Sequence, residues 1–457
     1  MTFRAFLAIV LCKLLRLVSR LLHRGGTAMP GRWALRVCPG LLGILAKDVK
    51  TVAITGTNGK TTSARMIEQA FADQGKSYFA NRSGANLLSG ITTEFVMNST
   101  LSGRCRKEYA VIECDEAASV SVFPQLRPQV IVVTNLFRDQ LDRYGEVTHT
   151  LANVRAGIQG APEAKLCLNA DCSLTASLAD DLKNEAVFFG IDPGACPPGE
   201  KSELSDAPHC IRCKTEYQYD FITYGHLGAF RCPRCGYRRR EPEYAVTQLV
   251  SQTAEGSGIV LSVRGESRLA EVNLPALYNV YNAVGAVAAV TEMGLGADAG
   301  IAAVEHFKCG FGRMENFALG KAGAKMMLVK NPAGCNQVLD FLCQVKDPFA
   351  LVVCLNDRGA DGTDVSWIYD AAFEKLKACG GRLGQIAVSG DRASDMAVRL
   401  KYAGVAPKAL HLERNYEALV QWIDAQERPV FIIPTYTAML ELREAVIRRV
   451  GGAEFWE

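Results

Sequence analysis

The residues with the most evident chemistry stand at 52–71, VAITGTNGKTTSARMIEQAF. An apolar run leads into Gly56-Thr57-Asn58-Gly59-Lys60-Thr61-Thr62 and then into helical spacing. A strand, a glycine loop and a helix N-terminus together aim backbone N–H groups at phosphate oxygens. Lys60 can neutralise β/γ-phosphate oxygens, and the Thr61 hydroxyl is placed for Mg²⁺. The longer Walker pattern wants glycine at 54, where Ile54 stands; the shorter GTNGKTT form is narrower and more informative. A chance Lys-Thr after a turn is a poor alternative with a strand before it and a helix after it. The stretch reads as an ATP site.

Two further strand ends carry acids. YAVIECDEA sets Glu113 and Asp115 beyond a buried strand, where a phosphate-loop sheet keeps its metal-associated acid, and Glu113 is preferred for Mg²⁺. VVTNLFRDQLDRYGEV does the same with Asn135, Asp139 and Asp142. Cys210-x₂-Cys213, eighteen residues, then Cys232-x₂-Cys235 is a four-thiolate zinc pattern with zinc-ribbon spacing. A closed Cys₄ site leaves no position for water, so its Zn²⁺ is expected to be structural. Near the C-terminus, LNDRGADGTDVSWIYD places four acids within fourteen residues after an apolar run, more than a turn needs.

These groups need elements to hold them. VKTVAIT, YAVIECD, PQVIVVTNL and AKLCLNA are continuous apolar runs, as parallel strands covered on both faces require. They alternate with helical stretches such as TSARMIEQAFADQG, which predicts a doubly wound α/β region. A polar, cysteine-bearing insert at 205–240 interrupts it. A second α/β region follows, with strands AKMMLVK, FALVVCLND, GQIAVSG and PVFIIPT and helices such as DAAFEKLKACGG. The expected organisation is an N-terminal helical segment over 1–45, an ATP-binding domain over 46–315, and a smaller α/β domain over 316–457. The hinge is expected near 312–320.

Composition bounds the rest. The chain has 457 residues, 49% hydrophobic and 22% charged, with a formal net charge of +3. The bases are spread along the chain, which argues against a nucleic-acid partner. Twelve of the sixteen cysteines are scattered without pattern, which fits reduced thiols and a cytoplasmic protein. In MTFRAFLAIVLCKLLRLVSRLLHRGG, basic residues interrupt every apolar run well short of the ~20 residues that span a bilayer. A basic amphipathic helix that packs on the body is expected, with peripheral contact at the inner membrane face as the alternative.

Taken in order, GTNGKTT, the acid after a strand, VVTNLFRDQLD, LYNVYNAVGAVAA and FKCGFGRMENF resemble the Mur ligase superfamily. That resemblance implies a Mur-ligase-type fold and ATP and Mg²⁺ as cofactors. It carries ATP contacts onto Gly56 through Thr62, Asn279 and Arg313, and the Mg²⁺ role onto Thr61 and Glu113. Gln140 stands where the family has histidine, and Tyr278 replaces a histidine before Asn279. The Cys₄ insert, the short leader, NRSGANLLSGI, KNPAGCNQ and the ADGTDVSW loop are similar to one branch of that superfamily. Its members are the synthetase subunits of two-chain enzymes that amidate the D-glutamate of lipid II. This implies ATP-dependent formation of D-isoglutamine through an acyl phosphate, with ammonia supplied by a GatD-type glutaminase partner. In that branch the acidic loop lends a carboxylate to the partner's Cys-His pair, a role placed on Asp361 with Asp357 and Asp364 as alternatives.

The chain itself shows no cysteine in a G-x-C-x-G context, and His411-x-Glu413 reads as a surface loop after a strand. Two other readings are weighed. An amino-acid-adding Mur or folylpolyglutamate-type ligase shares the ATP loop but leaves the ribbon unexplained. A zinc-ribbon nucleic-acid-binding NTPase would want a broad basic surface, and RCPRCGYRRR offers one short run.

Overall fold

The computed structural model describes residues 2–21, 28–82, 84–139, 147–199, 205–253, 255–307 and 313–451, with residue 313 described by its backbone alone. The chain forms two compact units. The first comprises Met1–Phe137, Glu146–Asn273 and Leu277–Phe307; the second comprises Arg138–Gly145, Leu274–Ala276 and Lys308–Glu457.

The first unit opens with helices α1 (Phe3–Leu21), α2 (Ala28–Val37) and α3 (Leu41–Ala46). Its strands are β1 (Lys50–Thr55), β2 (Tyr78–Ala80), β3 (Tyr109–Glu113), β4 (Val130–Val133), β5 (Lys165–Asn169) and β6 (Ala186–Ile191). The insert contributes β7 (Gln218–Tyr224) and β8 (Leu227–Arg231), which pair only with each other. β9 (Tyr244–Gln252), β10 (Ser257–Val263) and β11 (Glu266–Val272) complete a nine-stranded sheet of order β11-β10-β9-β6-β5-β4-β1-β3-β2.

β1 and β4 are Val/Ile-rich and buried along nearly their whole length. That is the condition for a parallel strand with both faces covered. The parallel pairing continues from β2 through β9. Beyond β9 the sheet departs from the expected parallel pattern: β9, β10 and β11 run antiparallel. A two-residue turn at Arg264 (φ 51°) and Gly265 (φ 91°) joins β10 to β11, the left-handed pair that suits a right-twisted hairpin.

In the second unit, β12 (Arg313–Phe317), β13 (Ala324–Met327), β14 (Phe349–Cys354), β15 (Leu383–Ser389), β16 (Leu410–Leu412) and β17 (Val430–Pro434) form a sheet of order β12-β13-β17-β14-β15-β16. Only β12 is antiparallel to its neighbour. Met326, Val352 and Ile432 from the sheet pack with Leu419, Ile423, Met439 and Leu442 from two helices. The Pro332–Gln344 helix starts on Asn331, whose side chain accepts the Gly334 N–H at 2.8 Å, with proline at the first helical position.

The stretch expected as a helix in DAAFEKLKACGG is instead a kinked series of 3₁₀ turns over Phe373–Arg382. Arg399 donates to the carbonyl of Ala371 (2.7 Å), and Arg382 to those of Ala378 and Cys379 (both 3.1 Å). Side chains thus take carbonyls that would serve regular α-helical bonds.

Candidate functional site

The phosphate loop joins the end of β1 to helix α4 (Lys60–Asp73). Gly56 (φ 120°) and Gly59 (φ 89°) both have backbone that favours glycine. Space forbids a side chain as well. A Cβ on Gly56 would lie 2.4 Å from Thr134 Oγ1, and one on Gly59 would lie 2.0 Å from Asn282 Oδ1. The loop is pinned to the neighbouring strand end. Thr57 N donates to Asn135 O (2.8 Å), Asn58 N to Asn135 Oδ1 (3.0 Å), and Thr134 Oγ1 to Asn58 O (2.7 Å).

Lys60 is buried at the first position of α4. Its ammonium donates to Gly56 O and forms an ion pair with Glu116 at 2.8 Å. Burial opposes the charge, but the carboxylates of Glu116, Glu113 and Asp115 outweigh it and hold Lys60 above the ordinary lysine pKa. The next residue, Thr61, donates its hydroxyl to Glu113 Oε2 at 2.7 Å. Register explains the meeting: Glu113 lies opposite Ile54, just before the loop. Asn81 fixes Glu113 from both sides, accepting its N–H at 2.9 Å and donating to its carbonyl at 2.7 Å. Asp115 is engaged elsewhere, accepting the N–H groups of Ala117 and Ala118 in the turn that follows.

Thr61 and Glu113 therefore bring two hard oxygen donors together, a set suited to Mg²⁺ beside a phosphate loop. Thr62 is buried within α4. Asn279 lies buried near the start of the Leu277–Glu292 helix and accepts from Asn282 at 3.2 Å. Arg313 begins β12 in the second unit. Asp139, a member of that unit, pairs with Lys330; Gln140 and Asp142 lie outside the described residues. Glu116, Asn81 and Asn282 were not singled out by sequence. The signal for Glu116 was its place one residue past Asp115, and for Asn282 its position one helical turn from Asn279.

The insert holds the second cluster. The sulfurs of Cys210, Cys213, Cys232 and Cys235 all lie within 4.8 Å of one another. The Cys210–Cys235 and Cys213–Cys232 separations are 3.6 and 3.4 Å. Tetrahedral Zn²⁺ with ~2.3 Å bonds needs sulfurs about 3.8 Å apart, so this set fits zinc. Each Cys-x-x-Cys is a tight knuckle built the same way. The N–H of Lys214 (φ 61°) returns to Cys210 O, and that of Gly236 (φ 72°) to Cys232 O. Cys210 N and Cys232 N then donate to Thr215 O and Tyr237 O, each at 2.7 Å.

In the second unit the acidic loop follows β14. Asp361 is buried and tied to the chain: Thr437 N donates to its Oδ1 at 2.7 Å and the Thr437 hydroxyl donates to Oδ2. Burial raises its pKa above the ordinary aspartate value, against the pull of those hydrogen bonds. Asp357 is half-buried and pairs with Arg392 at 3.3 Å. Asp364 is exposed and accepts the Ser366 N–H at 2.8 Å. The loop is anchored by Ile368, which is buried, with Trp367 half-buried beside it. His411 sits on the short edge strand β16, exposed and stacked on Trp422.

Comparison with known proteins adds the family context. Residues 54–230 match the Mur ligase middle domain and residues 328–439 match the MurT ligase C-terminal domain. The chain is 33% identical to the lipid II isoglutaminyl synthase (glutamine-hydrolyzing) subunit MurT of Streptococcus pneumoniae, over 93% of each chain. It is also 33% identical to the subunit of that name from Staphylococcus aureus, over 99% of this chain and 100% of the relative. Among solved structures, the pseudomurein peptide ligase type C from Methanothermus fervidus superposes with a TM-score of 0.65 at 22% identity, covering 88% of this chain and 79% of that one. MurF ligase from Thermotoga maritima, solved in complex with ADP, gives 0.63 at 12% identity, covering 91% and 85%. At those identities the superpositions speak to fold: the Mur ligase fold.

Proposed function

The chain belongs to the MurT family of lipid II isoglutaminyl synthase subunits, and from that premise we propose how its residues perform the ATP-dependent amidation of peptidoglycan synthesis. The acceptor is the α-carboxylate of D-isoglutamate in the lipid II stem peptide. A carboxylate oxygen takes the γ-phosphoryl group, giving an acyl phosphate and ADP. Ammonia then adds to the acyl carbon, phosphate departs with the C–O bonding electrons, and the nitrogen loses a proton, leaving D-isoglutamine.

The observation that carries this reading is Lys60, buried on the phosphate loop between Gly56 O and Glu116. Phosphoryl transfer asks the protein chiefly to position groups and offset charge. Glu116 supplies the negative partner that phosphate oxygens would replace, so Lys60 is oriented before nucleotide arrives. Thr61 and Glu113 would hold Mg²⁺, which would supply neutralisation of phosphate charge. Asn279 and Arg313 are proposed as further nucleotide contacts. Zn²⁺ on the four thiolates is proposed as structural.

Ammonia is proposed to come from a GatD-type glutaminase subunit. A carboxylate of the 357–364 loop, Asp361 first, would orient the partner's catalytic histidine. Thr437 holds the Asp361 carboxylate through its N–H and its hydroxyl, which fixes the orientation that the side chain presents. Among the described residues no helix is long and apolar enough to cross a membrane. Work on a lipid-linked substrate nevertheless supports a position at the membrane face.

The test is the purified two-subunit complex with ATP, glutamine and lipid II. ADP release should depend on lipid II, and mass spectrometry should find the stem-peptide carboxylate converted to its amide. ATP turnover stimulated by folate, DNA or RNA and indifferent to lipid II would remove the reading.

A further inference from the structure

Helix α1 buries the wrong side for an ordinary surface helix. The side chains turned inward are Ala5, Ala8, Ile9, Cys12 and Ser19, mostly small. The large apolar residues face solvent: Phe3 (75% exposed), Leu7, Leu14 (55%), Leu17, Val18 and Leu21 (70%). At about 100° per residue these two sets fall on opposite sides of the helix wheel. A surface helix of a soluble protein turns its apolar stripe to the core. Here the stripe points outward along five turns, and α2, packed on α1, adds exposed Met29 and Trp33.

The charges around the stripe are all of one sign. Residues 1–47 contain eight Lys and Arg and no Asp or Glu. On α1, Arg4 and Arg20 are exposed and Arg16 is half-exposed, while Lys13 reaches Ser99 O at 2.8 Å. Arg16 and Arg20 face Glu94 on the helix beneath, whose carboxyl burial holds above the ordinary glutamate pKa against the opposing pull of those two guanidinium groups. On α2, Arg32 and Arg36 are exposed, with Arg36 over the Trp33 ring at 4.6 Å. Helix α1 is not a membrane span, since its longest uncharged run is far below the ~20 residues required.

We propose that α1 and α2 form a monotopic docking surface that lies in the polar–apolar boundary of an anionic lipid bilayer. The aliphatic stripe enters the acyl boundary, the arginines stay at the level of acidic headgroups, and Trp33 sits between. Charge decides against a second copy of the chain as the occupant. Pairing two such faces would set one basic rim against another, whereas an anionic leaflet complements it. The proposal rests on the lipid II reading for its biological sense but not for its test. Docking would hold the ATP unit where a lipid-linked stem peptide is presented.

The experiment is flotation of the full-length chain, in complex with its partner subunit, on vesicles free of lipid II. The vesicles are phosphatidylcholine with or without phosphatidylglycerol. The chain should float with the anionic vesicles, at least about tenfold more weakly with phosphatidylcholine alone, and less as salt rises. Arg4→Gln with Arg32→Gln, both exposed and on the side of the stripe, should weaken binding about fivefold per charge. Leu14→Asp with Leu17→Asp should abolish it. The arginine pair keeps the test open if the leucine variant misfolds. Failure to float on either vesicle, or flotation unchanged by both variant pairs, overturns the proposal. So does a light-scattering mass that drops from dimer to monomer in the leucine variant without vesicle binding in the parent. Amidation of a water-soluble stem peptide should survive in the arginine variant; its absence in the parent would count against the catalytic reading and leave flotation untouched.

Discussion

Replacing Lys60 perturbs two things at once, and the structure says how to separate them. The ammonium and Glu116 lie 2.8 Å apart with each side chain only 9% exposed. At an effective dielectric constant of ~20 their attraction is about 6 kcal/mol, most of which offsets the desolvation of two buried ions. Removing one partner is therefore costly. Lys60→Met should destabilise the protein by about 3–5 kcal/mol, because buried Glu116 loses its ammonium partner. That is a large fraction of a typical folding free energy. Adding Glu116→Gln removes that buried charge and should return stability to within about 1–2 kcal/mol of the parent. Catalysis should not return with it. Both variants should lose about 10²–10³-fold in amidation rate, the size expected for deleting a preorganised charge donor. Urea unfolding gives the first quantity; ADP release with lipid II and ammonium chloride gives the second. A double variant that is stable and turns over near the parent rate would make Lys60 a structural residue only. A Lys60→Met variant that loses less than about 1 kcal/mol would mean that the pair is not desolvated.

Three further outcomes follow from the remaining sites. Purified protein should contain one zinc per chain, measured by plasma emission, and Cys213→Ser should lower the thermal midpoint before it changes the amidation rate of the folded fraction; zinc-free protein with an unchanged midpoint would contradict this. Asp361→Asn should keep the fold, since an amide oxygen can still accept the Thr437 N–H, while sharply reducing glutamine-dependent amidation and sparing ammonium-dependent amidation; unchanged glutamine-dependent rates in the Asn variants of Asp357, Asp361 and Asp364 alike would remove the trans-acting acid. Glu292 is opposed by burial, but the hydrogen bonds from Tyr244, Lys165 and Arg264 win and lower its pKa, so its stabilisation is present above the unfolded value of ~4.3 and lost as pH falls through the lower folded value. Glu292→Gln should therefore cost about 2 kcal/mol at pH 7 by urea midpoint, with the gap to the parent closing below about pH 4.

What could be read from sequence follows from which physics is local. The GTNGKTT loop was legible because its glycines, lysine and threonine encode a backbone shape and a ligand in one short segment. The cysteine knuckles were legible for the same reason. Choosing between Glu113 and Asp115 requires register: Glu113 pairs across from Ile54, while Asp115 is spent on the N–H groups of Ala117 and Ala118. Glu116 was missed because its partner, Lys60, lies 56 residues away and meets it only when the turn after β3 folds. Asn282 was missed because its role is to occupy the space that Gly59 leaves empty. The turns over Phe373–Arg382 read as a helix because one competing donor, Arg399, which takes the Ala371 carbonyl, comes from another element. Asp361 read as one acid of a loop, yet its carboxylate is held by Thr437 from the C-terminal helix.

The cysteine insert is more than an appendage to the ATP unit, because a buried polar network braces it to the sheet. Asp171, fully buried just past β5, accepts from Arg239 Nε, Tyr281 OH (both 2.5 Å) and Ile191 N (2.9 Å). Its own carbonyl takes the N–H of Gly228 on β8 at 2.9 Å, and Thr223 on β7 meets Tyr281 OH at 2.8 Å. Arg239 stands shortly after Cys235, and its N–H is tied to Phe230 O on β8 at 2.9 Å, so the register set at the knuckles fixes where its guanidinium arrives. Tyr281 stands beside Asn282, whose side chain lines the phosphate loop at Gly59. A buried charge of this kind is costly unless every partner is present. A metal that fixes the knuckles would hold Arg239 and β8 in place, keep Asp171 satisfied, and thereby steady the helix that carries Asn279 and Asn282. Closed coordination of a zinc ion by the four thiolates would suit such bracing, because a brace supplies fixed geometry and an open ligand position would add nothing to it.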